Sequence, residues 1–196
     1  MDDKLQPKIS QAVHSEYGWK VDEVQVDEVE RLRRGTCIFY TARSKVRPLS
    51  YQPNYAVLRG AEVLGVSEHD AAAKILDACA GDAPPEWWAE VITRFHQDLG
   101  GGIVLTNASV RPDIARKLTQ AGKAFTPPSF GDNGKSVSFL LLDPEAYIVY
   151  SVKATRGSSG QIEVVKTKLL GNPSNSKPNA QTAPANVREK IEQSLR

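Results

Sequence analysis

Residues 84–107 read PPEWWAEVITRFHQDLGGGIVLTN, and this stretch decides the fold. Two prolines open it, and proline is tolerated in a first helical turn, where no N–H partner is needed. Glu86 and Glu90 follow, near the positive end of the helix dipole. Trp88, Val91, Ile92, Phe95 and Leu99 recur at i, i+3, i+4, i+7 and i+11, which predicts one buried face. Trp87 lies about 100° round the helix, at the edge of that stripe. Gly100, Gly101 and Gly102 are expected to stop the helix, since glycine readily takes the left-handed C-cap conformation. Ile103 to Leu105 then resume as a short apolar strand. The helix is first of all a core element. A sharper expectation puts a site at its end, where His96, Asp98 and the glycines would lie together and a ligand could approach bare backbone.

Before this stretch, Ile9, Val13 and Tyr17 are spaced for an amphipathic opening helix, with Gly18 just past its end. Val21 to Leu32 alternates at Val24 and Val26 but loses phase at Val29, so a strand bulged near Asp27 and Glu28, or a helix, is expected. Thr36 to Ala42 is rich in β-branched and aromatic residues and predicts a strand. Asn54 to Leu58 and Glu62 to Val66 predict a hairpin turning at Arg59-Gly60-Ala61. Ser67 and Asp70 have the spacing of a helix start ahead of Ala71 to Ala80.

After it, Asn107 or Ser109 can cap a helix with Pro112 and Asp113 in its first turn, Ile114 and Leu118 inward, and Gly122 past its end. Ala124 to Lys135 reads as a loop. Val137 to Leu142, Tyr147 to Ala154 and Gln161 to Leu170 are separated by short turns, which force an antiparallel meander. Residues 172–184 carry proline, asparagine and serine with almost nothing to bury, and read as a flexible linker. Residues 185–196 space Val187, Ile191 and Leu195 for a short docking helix.

The expected fold class is therefore α+β, with antiparallel sheets packed against helices. One domain spans residues 1–171, with two helix-plus-meander halves, 1–83 and 108–171, joined by the central helix 84–107. The element order resembles that of cystatin-like and nuclear-transport-factor-like folds, where a sheet curls around a helix. That resemblance is one of element order alone.

Bulk properties exclude more than they assign. A net charge of +2 is too mild to require nucleic acid or an anionic membrane. No apolar run approaches the ~18 residues of a membrane span. The opening MDDKLQPKIS lacks an apolar signal core, which favours a cytoplasmic location for the chain as written, a trimmed signal being the alternative. Cys37 and Cys79 read as small buried hydrophobes, with a disulfide between them as the alternative.

Most chemistries fail on their motifs. Ser129 to Ser136 ends in Gly-Lys-Ser, but serine stands where a phosphate loop needs its first glycine, and a strand follows where a helix should begin. His14, His69 and His96 are scattered, and Glu68-His69-Asp70 has no known ligand spacing, so no metal is expected. There is no nucleophile elbow. Cys37 with His96 would make a nucleophile pair only if the fold joined them. No cofactor is implied. Asn107-Ala108-Ser109 fits the glycosylation sequon, which matters only in a eukaryotic secretory setting.

The function expected is a non-catalytic binding or protein-interaction module, with a concave sheet face closed by the central helix. Its ligand-contacting candidates are Trp87, His96, Gly100, Gly101 and Gly102, and its partner is a protein or small molecule. The alternative is a hydrolase using His96 and Asp98. A second alternative is a nucleic-acid surface at Arg31, Arg33 and Arg34, although the nearby Asp27, Glu28 and Glu30 favour a mixed, solvated face.

Overall fold

The computed structural model describes residues 5–46, 52–59, 62–99, 101–109, 111–158 and 160–171. Gly100, the turn residues Gly60 and Ala61, the linker 172–184 and the docking helix 185–196 lie outside the described residues. Helix α1 (Leu5–Tyr17) precedes strands β1 (Val24–Glu28), β2 (Ile38–Ser44), β3 (Asn54–Leu58) and β4 (Glu62–Gly65). Helices α2 (Ala71–Cys79) and α3 (Pro85–Phe95) follow, then β5 (Ile103–Leu105), α4 (Pro112–Gln120), β6 (Ser129–Gly131), β7 (Ser136–Asp143), β8 (Ile148–Arg156) and β9 (Ile162–Leu170).

The strands form two antiparallel sheets. The first runs β1-β2-β3-β4. The second runs β5-β7-β8-β9, and β6 pairs with the other end of the β7 edge that β5 occupies. Strands β7, β8 and β9 make the expected meander. The class is α+β.

Three apolar clusters order the elements into layers. Ile9 and Val13 of α1 pack on Val26, Tyr40, Ala42, Tyr55 and Val57, one face of the first sheet. Phe39, Ala56 and Leu58, on its opposite face, join α2, α3 and the inner face of the second sheet (Val137, Phe139, Leu141, Val152) in the largest cluster. Ile114 and Leu118 of α4 cover the outer face at Leu140, Leu142 and Val149. The α2–α3 layer thus lies between two sheets, each covered on its outer side by another helix. Strands buried on both faces read as continuous apolar runs, which is why Val137 to Leu142 shows no alternation.

This layering corrects the expected stripe of α3. The residue sunk in the core is Trp87, which is 5% exposed, whereas Trp88 is only partly buried. Trp87 stands edge-on to Phe39 at 5.9 Å, and Trp88 stands edge-on to Phe130 of β6 at 5.5 Å. A helix between two sheets buries two flanks, so a single-stripe pattern misassigns the residue at its edge. The helix also ends sooner than the glycines. His96 has φ −100° and ψ 126°, and a 3-10 turn over Gln97–Leu99 intervenes.

Other expectations shift in detail. Val21 to Leu32 is neither a bulged strand nor a helix. It is β1 between two 3-10 turns, and the phase breaks at Val29 because the chain leaves the sheet there. The strand expected at Thr36 starts at Ile38. Asp70 precedes α2 in a left-handed conformation with no side-chain cap, and the residue before α4 is Arg111 rather than Asn107 or Ser109. The loop 124–135 contains β6. Cys37 and Cys79 are not separate small hydrophobes but a disulfide, with Cα atoms 6.0 Å apart. That spacing is ordinary for the bond. It ties the residue just before β2 to the end of α2.

Candidate functional site

The fold separates the residues expected to form one site. His96 and Asp98 line a small cleft of about 140 Å³ at the end of α3, with Glu68, His69 and Asp70 opposite. Trp87 lines a second cleft of about 260 Å³ beside Arg31, Arg34, Pro84 and Glu86. Gly101 and Gly102 line a third, of about 340 Å³, between the first sheet, α3 and β5. Arg31 reaches both of the latter two.

The His96 cleft is satisfied by main chain. His96 Nε2 donates to the Ile162 carbonyl at 3.1 Å, and its Nδ1 accepts the Asp98 backbone N–H at 3.3 Å. A carbonyl can only accept and an N–H only donate, so these two contacts set the tautomer. Both ring nitrogens are therefore occupied. The Asp98 carboxylate stays 3.9 Å away and its side chain is 76% exposed. The imidazole fastens the end of α3 to β9, and Lys166 Nζ adds a 2.7 Å bond to the Asp98 carbonyl. No group of three or more His, Cys, Asp or Glu suited to a metal exists among the described residues. Cys37, the other half of the suggested nucleophile pair, is in the disulfide.

The three arginines of the basic cluster each meet a carboxylate. Arg31 pairs with Glu90 and Arg33 with Glu28, both at 3.2 Å, and Arg34 pairs with Asp82. Arg34 also lies over the Trp87 ring, 5.8 Å from its centroid. Arg43 Nε donates to Asp27 at 2.8 Å. Burial would raise the Asp27 pKa, but hydrogen bonds from Gln25 and Arg43 outweigh it and hold the carboxyl below its ordinary value. The face is the mixed, ion-paired surface expected from its composition.

The third cleft is built differently. Its floor comes from α3, where Glu90, Thr93 and Arg94 sit within about one turn. One wall is the start of β3 and the middle of β2, giving Asn54 and Thr41. The other wall is Gly101, Gly102, Ile103 and Val104. Arg94 Nη1 donates to Asn54 Oδ1 at 2.8 Å, and its Nε donates to Glu90 at 3.3 Å. Thr41 Oγ1 donates to the same Asn54 oxygen at 3.0 Å. Glu90 therefore holds two guanidinium groups, those of Arg31 and Arg94. A Cβ on Gly102 would meet Leu141 Cδ1 at 2.6 Å, and Gly101 has φ +85°, so glycines let the β5 wall come close to β7.

Among the described residues, one residue of this cleft carries an unpaired buried group. Thr93 is 3% exposed, and its hydroxyl oxygen is the buried side-chain atom without a hydrogen-bond partner among the described residues. A buried hydroxyl left without a partner costs roughly 1–3 kcal/mol. Most buried polar groups in folded proteins are paired, so an exception calls for an explanation. Sequence reasoning reached Arg31, Gly101 and Gly102 and missed Thr41, Asn54, Glu90, Thr93 and Arg94. The available signal was Thr93 itself, a polar residue standing between Ile92 and Phe95 on the buried side of the helix.

No family model, no curated protein and no solved structure matches the chain.

Proposed function

We propose that the chain is a non-catalytic binding module whose ligand occupies the cleft between the first sheet and β5. The observation that carries this is the Thr93 hydroxyl, buried and without a partner among the described residues, on a residue of the floor of a cleft of about 340 Å³. That volume lies within the ordinary range of small-molecule sites. The surrounding groups form a prearranged polar lattice, which suits recognition without chemistry. Hydrolysis through His96 and Asp98 has less support, because both imidazole nitrogens already serve main-chain partners. A nucleic-acid surface has less support because Arg31, Arg33 and Arg34 each carry an acidic partner. The Cys37–Cys79 bond supports an oxidising compartment as the working environment, against the cytoplasmic expectation.

A screen of small polar molecules by ¹⁵N NMR tests this reading. Hits should move the amide resonances of Thr41, Asn54, Thr93, Gly101 and Gly102, and His96→Ala should bind them unchanged. Hits that map only elsewhere, or turnover that disappears in His96→Ala, would overturn it.

A further inference from the structure

The polar groups of the inter-sheet cleft are unequal in number, and the inequality has a chemical meaning. Arg31 and Arg94 bring two positive charges to one carboxylate, that of Glu90, leaving the trio at +1. Each guanidinium has five N–H donors in a fixed fork and no acceptor. Arg94 uses Nε and Nη1 on Glu90 and Asn54, and Arg31 uses Nη2 on Glu90. Asn54 Oδ1 accepts from both Thr41 and Arg94, so its amide nitrogen faces the other way as a donor. The Thr93 hydroxyl adds one more group able to donate. Gln52 adds an amide with both a donor and an acceptor. Among the described residues that line the cleft donors thus exceed acceptors, and Glu90, the one carboxylate, is already shared.

From this surplus we infer that the cleft takes a small oxyanion, a carboxylate or phosphate group, gripped by Arg94 and Arg31 with the Thr93 hydroxyl donating to it from below. The inference rests on the binding-module reading above and adds the class of ligand. A neutral polyol would bring as many donors as acceptors and leave the guanidinium edges unmatched. An oxyanion brings acceptors only, and its bonds to arginine are charge-assisted and can be bidentate. The size of the cleft, about 340 Å³, limits the ligand to a small molecule.

The test titrates the full chain, disulfide intact, with inorganic phosphate, with succinate and with glucose at constant ionic strength, read by ¹⁵N NMR. One or both anions should shift Thr93, Arg94, Gly101 and Gly102 saturably, and glucose should not. The tighter of the two anions identifies a tetrahedral or a planar group. Arg94→Gln should weaken anion binding by about tenfold or more, the usual scale for a hydrogen bond to a charged group. If Arg94→Gln does not fold, Arg31→Gln carries the comparison, since that side chain is 62% exposed. Anion shifts that persist undiminished in the folded arginine variant would overturn the inference. So would a cleft that answers glucose and neither anion, which would leave the binding module standing with a neutral ligand. A cleft silent to all three probes and to the wider screen would remove both.

Discussion

The two sheets are attached to the same helical layer by different means. The first sheet is held covalently, through Cys37 just before β2 and Cys79 at the end of α2. Beside that bond, the Trp87 indole donates to the Leu32 carbonyl at 2.8 Å, and Arg34 pairs with Asp82. The second sheet has no covalent tie of this kind among the described residues and is held by its apolar face and by polar contacts. His96 reaches Ile162, Arg156 reaches Asp77, and Gln161 reaches Asp70. Between the two attachments lies the cleft, with Thr41 and Asn54 on the covalently held side and Gly101 to Val104 on the other. One wall belongs to the sheet tied by the disulfide, and the other is β5 with the glycines before it, held by its ladder to β7. Such an arrangement holds the recognition groups of both walls in place before a ligand arrives, which lowers the ordering cost of binding.

Breaking the covalent side should produce the largest effect. The disulfide closes a loop with a sequence separation of 42 residues. In the chain-entropy model a loop of that size contributes about 4 kcal/mol. The double variant Cys37→Ser/Cys79→Ser, or reduction with dithiothreitol, should lower the unfolding free energy by that amount and with it the urea midpoint, while the slope rises because the unfolded chain is no longer cross-linked. An unchanged midpoint would mean that burial of Phe39, Trp87 and their neighbours holds the first sheet without the bond.

Breaking the other side should cost less. His96→Ala removes two main-chain contacts and leaves the Ile162 carbonyl to find another donor. The expected loss is about 2 kcal/mol, the scale of an unsatisfied buried acceptor together with the lost packing. Hydrogen exchange should rise first at β9, the strand that the imidazole fastens. Exchange rising equally in β1 to β4 would show that the two sheets share one cooperative attachment, and the contrast between them would fail.

Elements with local causes were legible in the sequence. Prolines at the start and a spaced apolar set place α3, and Gly18 closes α1 with φ +68°. Short turns between apolar runs were enough for β7 to β9. What could not be read are relations between distant residues. Two cysteines carry no geometry, so their pairing appears only when α2 folds back on β2. Trp87 and Trp88 were exchanged because periodicity assumes one buried face, and α3 has a sheet on each side. The three-residue strand β6 is too short to leave a pattern between Pro128 and Asp132. His96 stood out as an unusual residue, but its partner at Ile162 is 66 positions away. The arginines were visible, whereas the carboxylate that makes Arg31 and Arg94 a unit lies on α3, 59 residues from Arg31.

The smallest effect expected has the opposite sign, and it separates a recognition group from a structural one. Thr93→Val replaces a hydroxyl by a methyl of nearly the same volume. At an ordinary buried threonine the change breaks a hydrogen bond and destabilises. At Thr93 the hydroxyl has no partner among the described residues, so the desolvation it suffers on folding is uncompensated. Removing it should raise stability by about 1 kcal/mol, the lower end of the cost of a buried unpaired polar group. The same variant should bind the anion more weakly, since the missing hydroxyl is the donor beneath it. Stability gained together with affinity lost is the pattern of a residue kept for its ligand, because sites that bind often hold groups that are unfavourable until the ligand arrives. Urea melts and anion titrations on one preparation measure both quantities. Valine that destabilises the fold would show that the hydroxyl has a partner in solution, and Thr93 would then join His96 among the structural contacts.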